Sequence, residues 1–346
     1  MLGDLLQTVM RRHDLTADEA TAAMDAIIDG HARGAQVAGL LVGLAMKGER
    51  PDEIVGFARS MRRRAVSIRA PEGGTVDLCG TGGDGAGTFN ISSVAAIVVA
   101  ACGVVVAKHG NRSVSSRCGS ADLFEALGVK IAAPPPVVES CLAETGMAFL
   151  FAPVFHPSMR NVAEVRRELG VRTAFNLLGP LTNPTHPRRQ LIGVPRPELT
   201  ELIARSLSLL GSERAWVVHG ADGLDEISTT GYTKVSESRG RTVNTFYLHP
   251  GDVGLPKASP AALAGGDAAT NAEIARDILR GTKGPARDIV LLNAGAMLLL
   301  SGKADTLREG IARSGHAIDT GAARQRLDAL VACSQDHGGP AATGGA

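Results

Sequence analysis

Aromatic residues are scarce: eight Phe, two Tyr and one Trp make up 3 % of 346 residues. Proteins that hold single-stranded nucleic acid stack its bases on aromatic platforms, so this composition argues against that class. Neither sign of charge is in excess. Lys and Arg number 36 and Asp and Glu 35, a formal net charge of +1. That balance gives no global field for a nucleic acid or an anionic membrane surface. No run of 18 apolar residues occurs, so no membrane-spanning helix is expected. The start, Met-Leu-Gly-Asp-Leu-Leu, lacks a basic segment followed by an apolar one, so no secretory signal is expected. The five cysteines (Cys79, Cys102, Cys118, Cys141, Cys333) include no C-x-x-C pair, which predicts neither a disulfide framework nor a zinc ribbon. They are expected to be reduced core or site-lining residues of a cytosolic protein.

Apolar residues at 44 % and charged residues at 21 % are ordinary for a globular protein. The length predicts about two domains, with cores built from Ala, Val, Leu and Ile. Glycine is abundant: 42 of 346 residues, well above the average of about 7 %.

Residues 1–66 read as helices only. Thr16-Ala17-Asp18-Glu19 is a capping box. Val37, Leu40, Leu41, Leu44 and Ala45 form one apolar helical stripe. Pro51 opens a helix at its first position, and Arg62, Arg63 and Arg64 close it in keeping with the helix dipole. The stretch 67–74 is the expected linker. Beyond it, strands are predicted at Thr75–Cys79, Val104–Ala107, Met147–Phe151 and Ala215–Val218. Helices are predicted at Ser92–Cys102 and near 135–145, 197–210, 271–280, 285–300 and 318–333. This alternation argues for an α/β domain with a mostly parallel central sheet, covering 67–346 with a frayed tail from Ser334. Helices from about 157–185 are expected to join the N-terminal all-helical domain.

Five glycines fall within the eight residues from Gly80 to Gly87. Gly80, Gly82 and Gly85 match G-x-G-x-x-G. A dinucleotide fold would need an acidic residue about 20 positions on, whereas the next strand leads into Lys108-His109-Gly110-Asn111-Arg112. A nucleotide P-loop would need Lys where Thr88 stands. What remains is a phosphate cradle, with backbone amides and the start of the helix near Ser92 facing an anion. Thr88, Asn90, Ser92 and Ser93 add neutral donors. A second loop, Lys108 to Arg117, offers cations and hydroxyls for a further phosphate. A third, His219 to Glu226, brings adjacent carboxylates Asp225 and Glu226 without a matching His or Cys, which suits Mg²⁺ shared with substrate phosphates. Arginines between Arg160 and Arg167 either clamp a carboxylate or line a solvated helix face.

Together these motifs resemble the anthranilate phosphoribosyltransferase family. The resemblance rests on Gly80-Thr81-Gly82-Gly83-Asp84, Asn90-Ile91-Ser92, Lys108-His109-Gly110-Asn111-Arg112, His219 to Glu226, and the run Asn176 to Pro184. It spans the chain from the first helices to about residue 333. It implies a helical domain and an α/β domain of the nucleoside phosphorylase and phosphoribosyltransferase class, with a cleft between them, in a cytoplasmic homodimer. The implied reaction joins anthranilate to phosphoribosyl pyrophosphate, releasing pyrophosphate, in tryptophan biosynthesis. The resemblance implies that phosphoribosyl pyrophosphate is held by Gly80, Gly83, Asp84, Thr88, Asn90, Ile91, Ser92 and Ser93. It extends that role to Lys108, His109, Gly110, Asn111, Arg112, Ser113, Val114, Ser115, Ser116 and Ser120. Anthranilate is implied to meet Gly80, His109, Asn111 and Arg166, and Ser92, Asp225 and Glu226 to hold magnesium, two ions per subunit. No general base is implied, since an aniline nitrogen is uncharged at neutral pH. Alternatives are a nucleoside phosphorylase of similar architecture, or a non-catalytic nucleic-acid-binding relative, which would need a continuous basic groove.

Overall fold

Four helices open the chain: α1 (Leu2–Met10), α2 (Ala17–Ile28), α3 (Gly34–Lys47) and α4 (Pro51–Arg64). In this computed structural model residues 2–113 and 117–335 are described. The capping box forms. The Glu19 amide donates to Thr16 Oγ1 at 3.2 Å and the Thr16 amide to Glu19 Oε2 at 2.9 Å. Val37, Leu40, Leu41 and Leu44 are buried along α3, while Ala45, the last member of the predicted stripe, is exposed. Pro51 stands at the start of α4. Two of its closing arginines do more than complement a dipole: Arg63 and Arg64 reach Asp25 at 2.9 and 2.6 Å, and Arg64 reaches Asp29 at 2.8 Å.

After an irregular stretch the sheet begins: β1 (Val76–Gly80), α5 (Ile91–Ala101), β2 (Val106–Gly110), α6 (Ser120–Ala126), α7 (Pro135–Thr145) and β3 (Met147–Phe151). The chain then turns back through α8 (Ala152–Phe155), α9 (Arg160–Leu169) and α10 (Phe175–Leu178). Val162, Phe175, Leu177 and Leu178 pack in the same core as Leu40, Ile54 and Phe57 of the first helices. It returns to the sheet with β4 (Arg189–Gly193), α11 (Leu199–Leu209) and β5 (Arg214–Gly220), then β6 (Thr233–Arg239) and β7 (Thr242–Leu248). Among the described residues four helices follow: α12 (Ala268–Leu279), α13 (Pro285–Leu300), α14 (Leu307–Asp319) and α15 (Ala322–Gln335).

Among the described residues seven strands form one sheet, in the order β3-β2-β1-β4-β5-β6-β7. The first five are mutually parallel, and β6 and β7 add antiparallel. Strand side chains alternate between faces. Leu78, Leu191 and Val218 face α5 and α13, while Cys79, Ile192 and Val217 face the helical bundle and α11. Both faces are thus covered, as a parallel sheet requires.

Beyond β4, β6 and β7, which the residue patterns do not predict, three details differ from the sequence reading. Lys108, His109 and Gly110 belong to β2 rather than to the loop after it. The helical pattern near 318–333 is α15, which starts at Ala322 after a break at Thr320 and Gly321, where Gly321 has φ +78°; α14, before the break, is not among the predicted helices. Ser334 and Gln335 complete α15, and the rest of the expected frayed tail lies outside the described residues. Among the described residues no helix is long and apolar enough to cross a membrane.

Candidate active site

Open α/β sheets bind ligands at the carboxyl ends of strands, where the strand order reverses. That point here lies between β1 and β4. The acidic loop after β5 folds across both strand ends. A Cβ on Gly80 would strike the Asp225 carboxylate, and one on Gly193 would strike the Asp225 main chain. These two glycines are therefore required by close approach.

The glycine-rich and acidic loops are bonded together. Asp225 Oδ2 accepts from the Gly82 amide at 2.8 Å, and the Asp225 amide donates to Asp84 Oδ2 at 3.4 Å. Glu226 Oε1 accepts from the Ser92 amide at 3.0 Å, in the first turn of α5. Behind them Asn293 of α13 grips Ile227 through both its amide and its carbonyl, at 3.0 and 2.9 Å. Burial pushes the Glu226 carboxyl up to about 7 against the pull of the Lys108 charge and the Ser92 bonds. Burial, with repulsion from Asp84 and Glu226, raises Asp225 well above the carboxylate range. Two adjacent acids, Glu226 buried and Asp225 partly so, beside a hydroxyl, Ser92, fit a hard divalent cation. Among the described residues no three His, Cys, Asp or Glu side chains form a ready cage. A cation here would complete its shell with ligand oxygens and water, as Mg²⁺ bound with phosphates does.

The rest of the glycine loop is tied down at its far end. Thr88 bridges to Ala264, and the Gly265 amide donates to Gly87 O at 2.9 Å. Asn90 donates to Cys118 O at 3.1 Å and accepts from Asn271 of α12 at 2.9 Å, so it links two loops and a helix. Ile91 and Ser93 are buried in the first turn of α5, on either side of Ser92.

Lys108 lies beneath the loops. Its side chain is buried, its ammonium donates to Leu78 O, and Ser92 Oγ is 3.5 Å away. Arg112 is held by Asp122 at 2.7 Å and Glu125 at 2.8 Å, so its charge is already paired. Asn111 shapes the same turn: its carbonyl accepts from the Ala121 amide at 3.2 Å and from Ser120 Oγ at 3.4 Å. The Ser113 amide donates to Asp122 at 3.2 Å. Val114, Ser115 and Ser116 lie outside the described residues.

His109 is buried. Its amide donates to Asp77 Oδ1 at 3.4 Å, and its Nδ1 lies 3.2 Å from Gly179 O. The ring packs edge-on to His156, with centroids 5.3 Å apart. Burial, then the neighbouring His156, drives His109 down to about 3, and burial takes His156 to about 4. Both rings are therefore neutral. Asn183 braces this wall, donating to Asp77 Oδ2 and to Ala107 O, each at 2.8 Å.

Arg166 closes α9 with its guanidinium 5.5 Å above the Phe175 ring. It has no carboxylate partner among the described residues, and burial lowers its basicity. No hydrogen bond joins it to Gly80, His109 or Asn111. Arg172, absent from the sequence reading, reaches the centre of the site: its Nη1 donates to Gly82 O at 2.7 Å. Its only sequence signal is its place in the turn just before Ala174-Phe175-Asn176.

A helical bundle joined to an open sheet, with an acidic, glycine-lined crevice at the switch point, defines a class. The helical bundle domain of the glycosyl transferase family matches residues 3–65, and the a/b domain of that family matches residues 72–324. Anthranilate phosphoribosyltransferase of Moorella thermoacetica is 56 % identical over 332 residues, spanning 96 % of this chain and 98 % of its own. That of Desulfatibacillum aliphaticivorans is 50 % identical over 338 residues, spanning 98 % and 100 %. The crystal structure of the Thermus thermophilus anthranilate phosphoribosyltransferase matches with a TM-score of 0.91 at 46 % identity, covering 96 % of this chain and 100 % of that one. The Saccharomyces cerevisiae enzyme in complex with PRPP and Mg matches at 0.88 and 28 % identity, covering 96 % and 97 %. The chain belongs to the anthranilate phosphoribosyltransferase family.

Proposed function

We propose that the protein transfers the phosphoribosyl group of phosphoribosyl pyrophosphate to the amino group of anthranilate. The products are N-(5-phosphoribosyl)anthranilate and pyrophosphate, and the step belongs to tryptophan biosynthesis. The observation that carries this reading is the junction of Asp225 and Glu226 with the glycine loop and the first turn of α5. It sets cation ligands beside anion-binding amides at one point of the sheet.

Substitution at C1′ builds an oxocarbenium-like centre as pyrophosphate leaves, so the protein must hold departing negative charge and orient the nucleophile. The amides of Gly80, Gly83 and Asp84, with Thr88, Asn90 and Ser92, face that charge. Ser120 and the turn from Gly110 to Ser116 complete the cradle. Lys108 acts from below, holding Ser92 and offsetting Glu226. Ser92, Asp225 and Glu226 would hold Mg²⁺, two ions per subunit, and the bound metal would supply positive charge opposite the departing pyrophosphate. Anthranilate lies along Gly80, His109 and Asn111, with Arg166 meeting its carboxylate. The neutral rings of His109 and His156 present an uncharged wall that neither repels nor protonates an aniline nitrogen. No side chain is assigned as general base.

In this reading residues 1–66 and the helices near 157–185 form the nucleophile side of the cleft, and residues 67–346 the phosphoribosyl pyrophosphate side. The working unit is a cytoplasmic homodimer. The test is to mix purified protein, Mg²⁺, phosphoribosyl pyrophosphate and anthranilate and follow anthranilate fluorescence. Metal-dependent loss that needs both substrates supports the assignment. Phosphorolysis of nucleosides without that activity would replace it with a nucleoside phosphorylase.

A further inference from the structure

The helix-closing arginines of α4 divide in two. Arg63 and Arg64 are paired with Asp25 and Asp29, whereas Arg62 and Arg59 have no carboxylate partner among the described residues. Arg62 gives its Nε–H to Leu181 O at 2.7 Å and leaves the rest of its guanidinium facing a concavity. Burial alone lowers its basicity to about 10, with no anion acting against it. A half-buried permanent cation without a counter-charge is unfavourable unless something supplies one. The concavity measures about 440 Å³ and is lined by Arg59, Arg62, Arg63, His186, Leu209 and Leu210. The concavity is broad and open to solvent rather than enclosed. His186 is held at its rim in a left-handed conformation, φ +49°, and Arg62 depresses its protonation further after burial. Leu209, half exposed at 51 %, and Leu210 give the opposite wall an apolar surface.

The pocket is separate from the crevice. His186 precedes the first residue of β4, and Leu209 and Leu210 precede the first residue of β5. The pocket therefore sits at the amino ends of the strands, one strand length, roughly 16 Å, from the loops at their carboxyl ends. We propose that it is a second anion site, which takes a phosphate monoester with a small apolar substituent: the dianion against Arg59 and Arg62, the substituent against Leu209 and Leu210. Leu181 O, which Arg62 holds, lies two residues from Gly179, whose carbonyl faces His109. Occupancy would thus bear on the backbone behind the nucleophile wall.

The test is calorimetric titration with phenyl phosphate and with inorganic phosphate. Arg62→Ala also loses the Leu181 contact and could fail to fold, so Arg59→Glu, on the solvent side of α4, is the primary variant. The crevice binds phosphates too, so Gly83→Val serves as its control. The expected signature is a saturable component kept in Gly83→Val and weakened at least about tenfold in Arg59→Glu, the effect of losing a charge-assisted contact. Phenyl phosphate should bind this component more tightly than inorganic phosphate, and Leu209→Ser should erase the difference. If every saturable component disappears in Gly83→Val, or none responds to Arg59→Glu, the site does not exist. Equal affinity for the two probes overturns the ester assignment.

Discussion

The Gly82 amide donates to Asp225 Oδ2 at 2.8 Å across 143 positions of sequence. Two loops from different strands thereby act as one wall of the crevice, and Arg172 fastens the same glycine turn from the helical side through Gly82 O. The site is an assembly of three segments, and each can be tested separately.

The acidic segment should govern metal use. Replacing Asp225 by Asn and Glu226 by Gln removes the two carboxylates best placed for a divalent cation while keeping their shape. Activity should fall at least about 10²-fold, the usual size for removing an electrostatic stabiliser. Chelation should abolish wild-type turnover, and Mg²⁺ should restore it. A double variant with near-normal steady-state rates would remove these residues from metal binding.

The glycine turn should act through backbone approach. Gly83 has φ +76°, which L side chains rarely adopt, and a Cβ there would collide with the Arg172 guanidinium. Gly83→Val should therefore abolish phosphoribosyl pyrophosphate binding in a protein whose far-ultraviolet circular dichroism is unchanged. Normal binding by calorimetry would reduce the turn to a structural element.

Much of this was legible in the sequence, for identifiable reasons. The glycine cluster, the Asp225-Glu226 pair and strands such as Met147–Phe151 are local signals, and they stand where the residue patterns place them. β4 was not legible, because it starts with Arg189 and Gln190 and follows Pro184 and Pro187. β6 and β7 escaped because they read Thr-Lys-Val-Ser-Glu-Ser-Arg and Thr-Val-Asn-Thr-Phe-Tyr-Leu, with few apolar residues: β7 is the partly solvated edge strand, and β6 is mostly buried between β5 and β7. Lys108 looks like a loop cation in sequence. Only the sheet shows that it is buried in β2 with its ammonium beneath Ser92. Arg172 offered only its place before Ala174-Phe175-Asn176, since its role depends on a fold-back of 90 residues.

The third segment gives a kinetic prediction. Arg172→Ala frees the Gly82 carbonyl and loosens the glycine turn. The Michaelis constant for phosphoribosyl pyrophosphate should rise about tenfold, as for loss of a hydrogen bond from a charged group, with a much smaller effect on anthranilate. A rise confined to anthranilate would place Arg172 on the other substrate.

Acid should weaken the fold through the histidine wall. His109 and His156 are held neutral near 3 and 4, below the free value of 6.5. The unfolded chain then binds protons that the folded chain refuses, so this contribution is whole above pH 6.5 and is lost as pH falls toward 4. At pH 5 the loss is about 2 kcal/mol from each ring. Asp77, Asp225 and Glu226, raised by burial, bind protons on folding and act in the opposite direction, so the histidine contribution is read against a variant: between pH 7.5 and pH 5 in urea unfolding, His109→Gln should change in stability by about 2 kcal/mol more favourably than wild type. An unchanged difference in that variant would assign the acid sensitivity to other groups.

Arg166 is the position where sequence spacing left two readings open. Its guanidinium lies over the Phe175 ring, half buried and without a carboxylate partner among the described residues, while its neighbour Arg167 is exposed and 3.9 Å from Glu164. A solvated helix-face charge would look like Arg167. Arg166 instead has a fixed platform and an open valence for a carboxylate. Arg166→Ala should raise the Michaelis constant for anthranilate about ten- to a hundredfold, the effect of losing a charge-assisted bond, and leave that for phosphoribosyl pyrophosphate nearly unchanged. Arg166→Lys should recover only part, because an ammonium neither forks onto a carboxylate nor stacks as a plane. Aniline, which lacks the carboxylate, should be a poor substrate for all three forms and should not discriminate among them. If anthranilate kinetics are unchanged in a folded Arg166→Ala protein, the arginine is a surface charge worth a few tenths of a kcal/mol in stability. The carboxylate would then need another cation, and Arg167 is the next to replace.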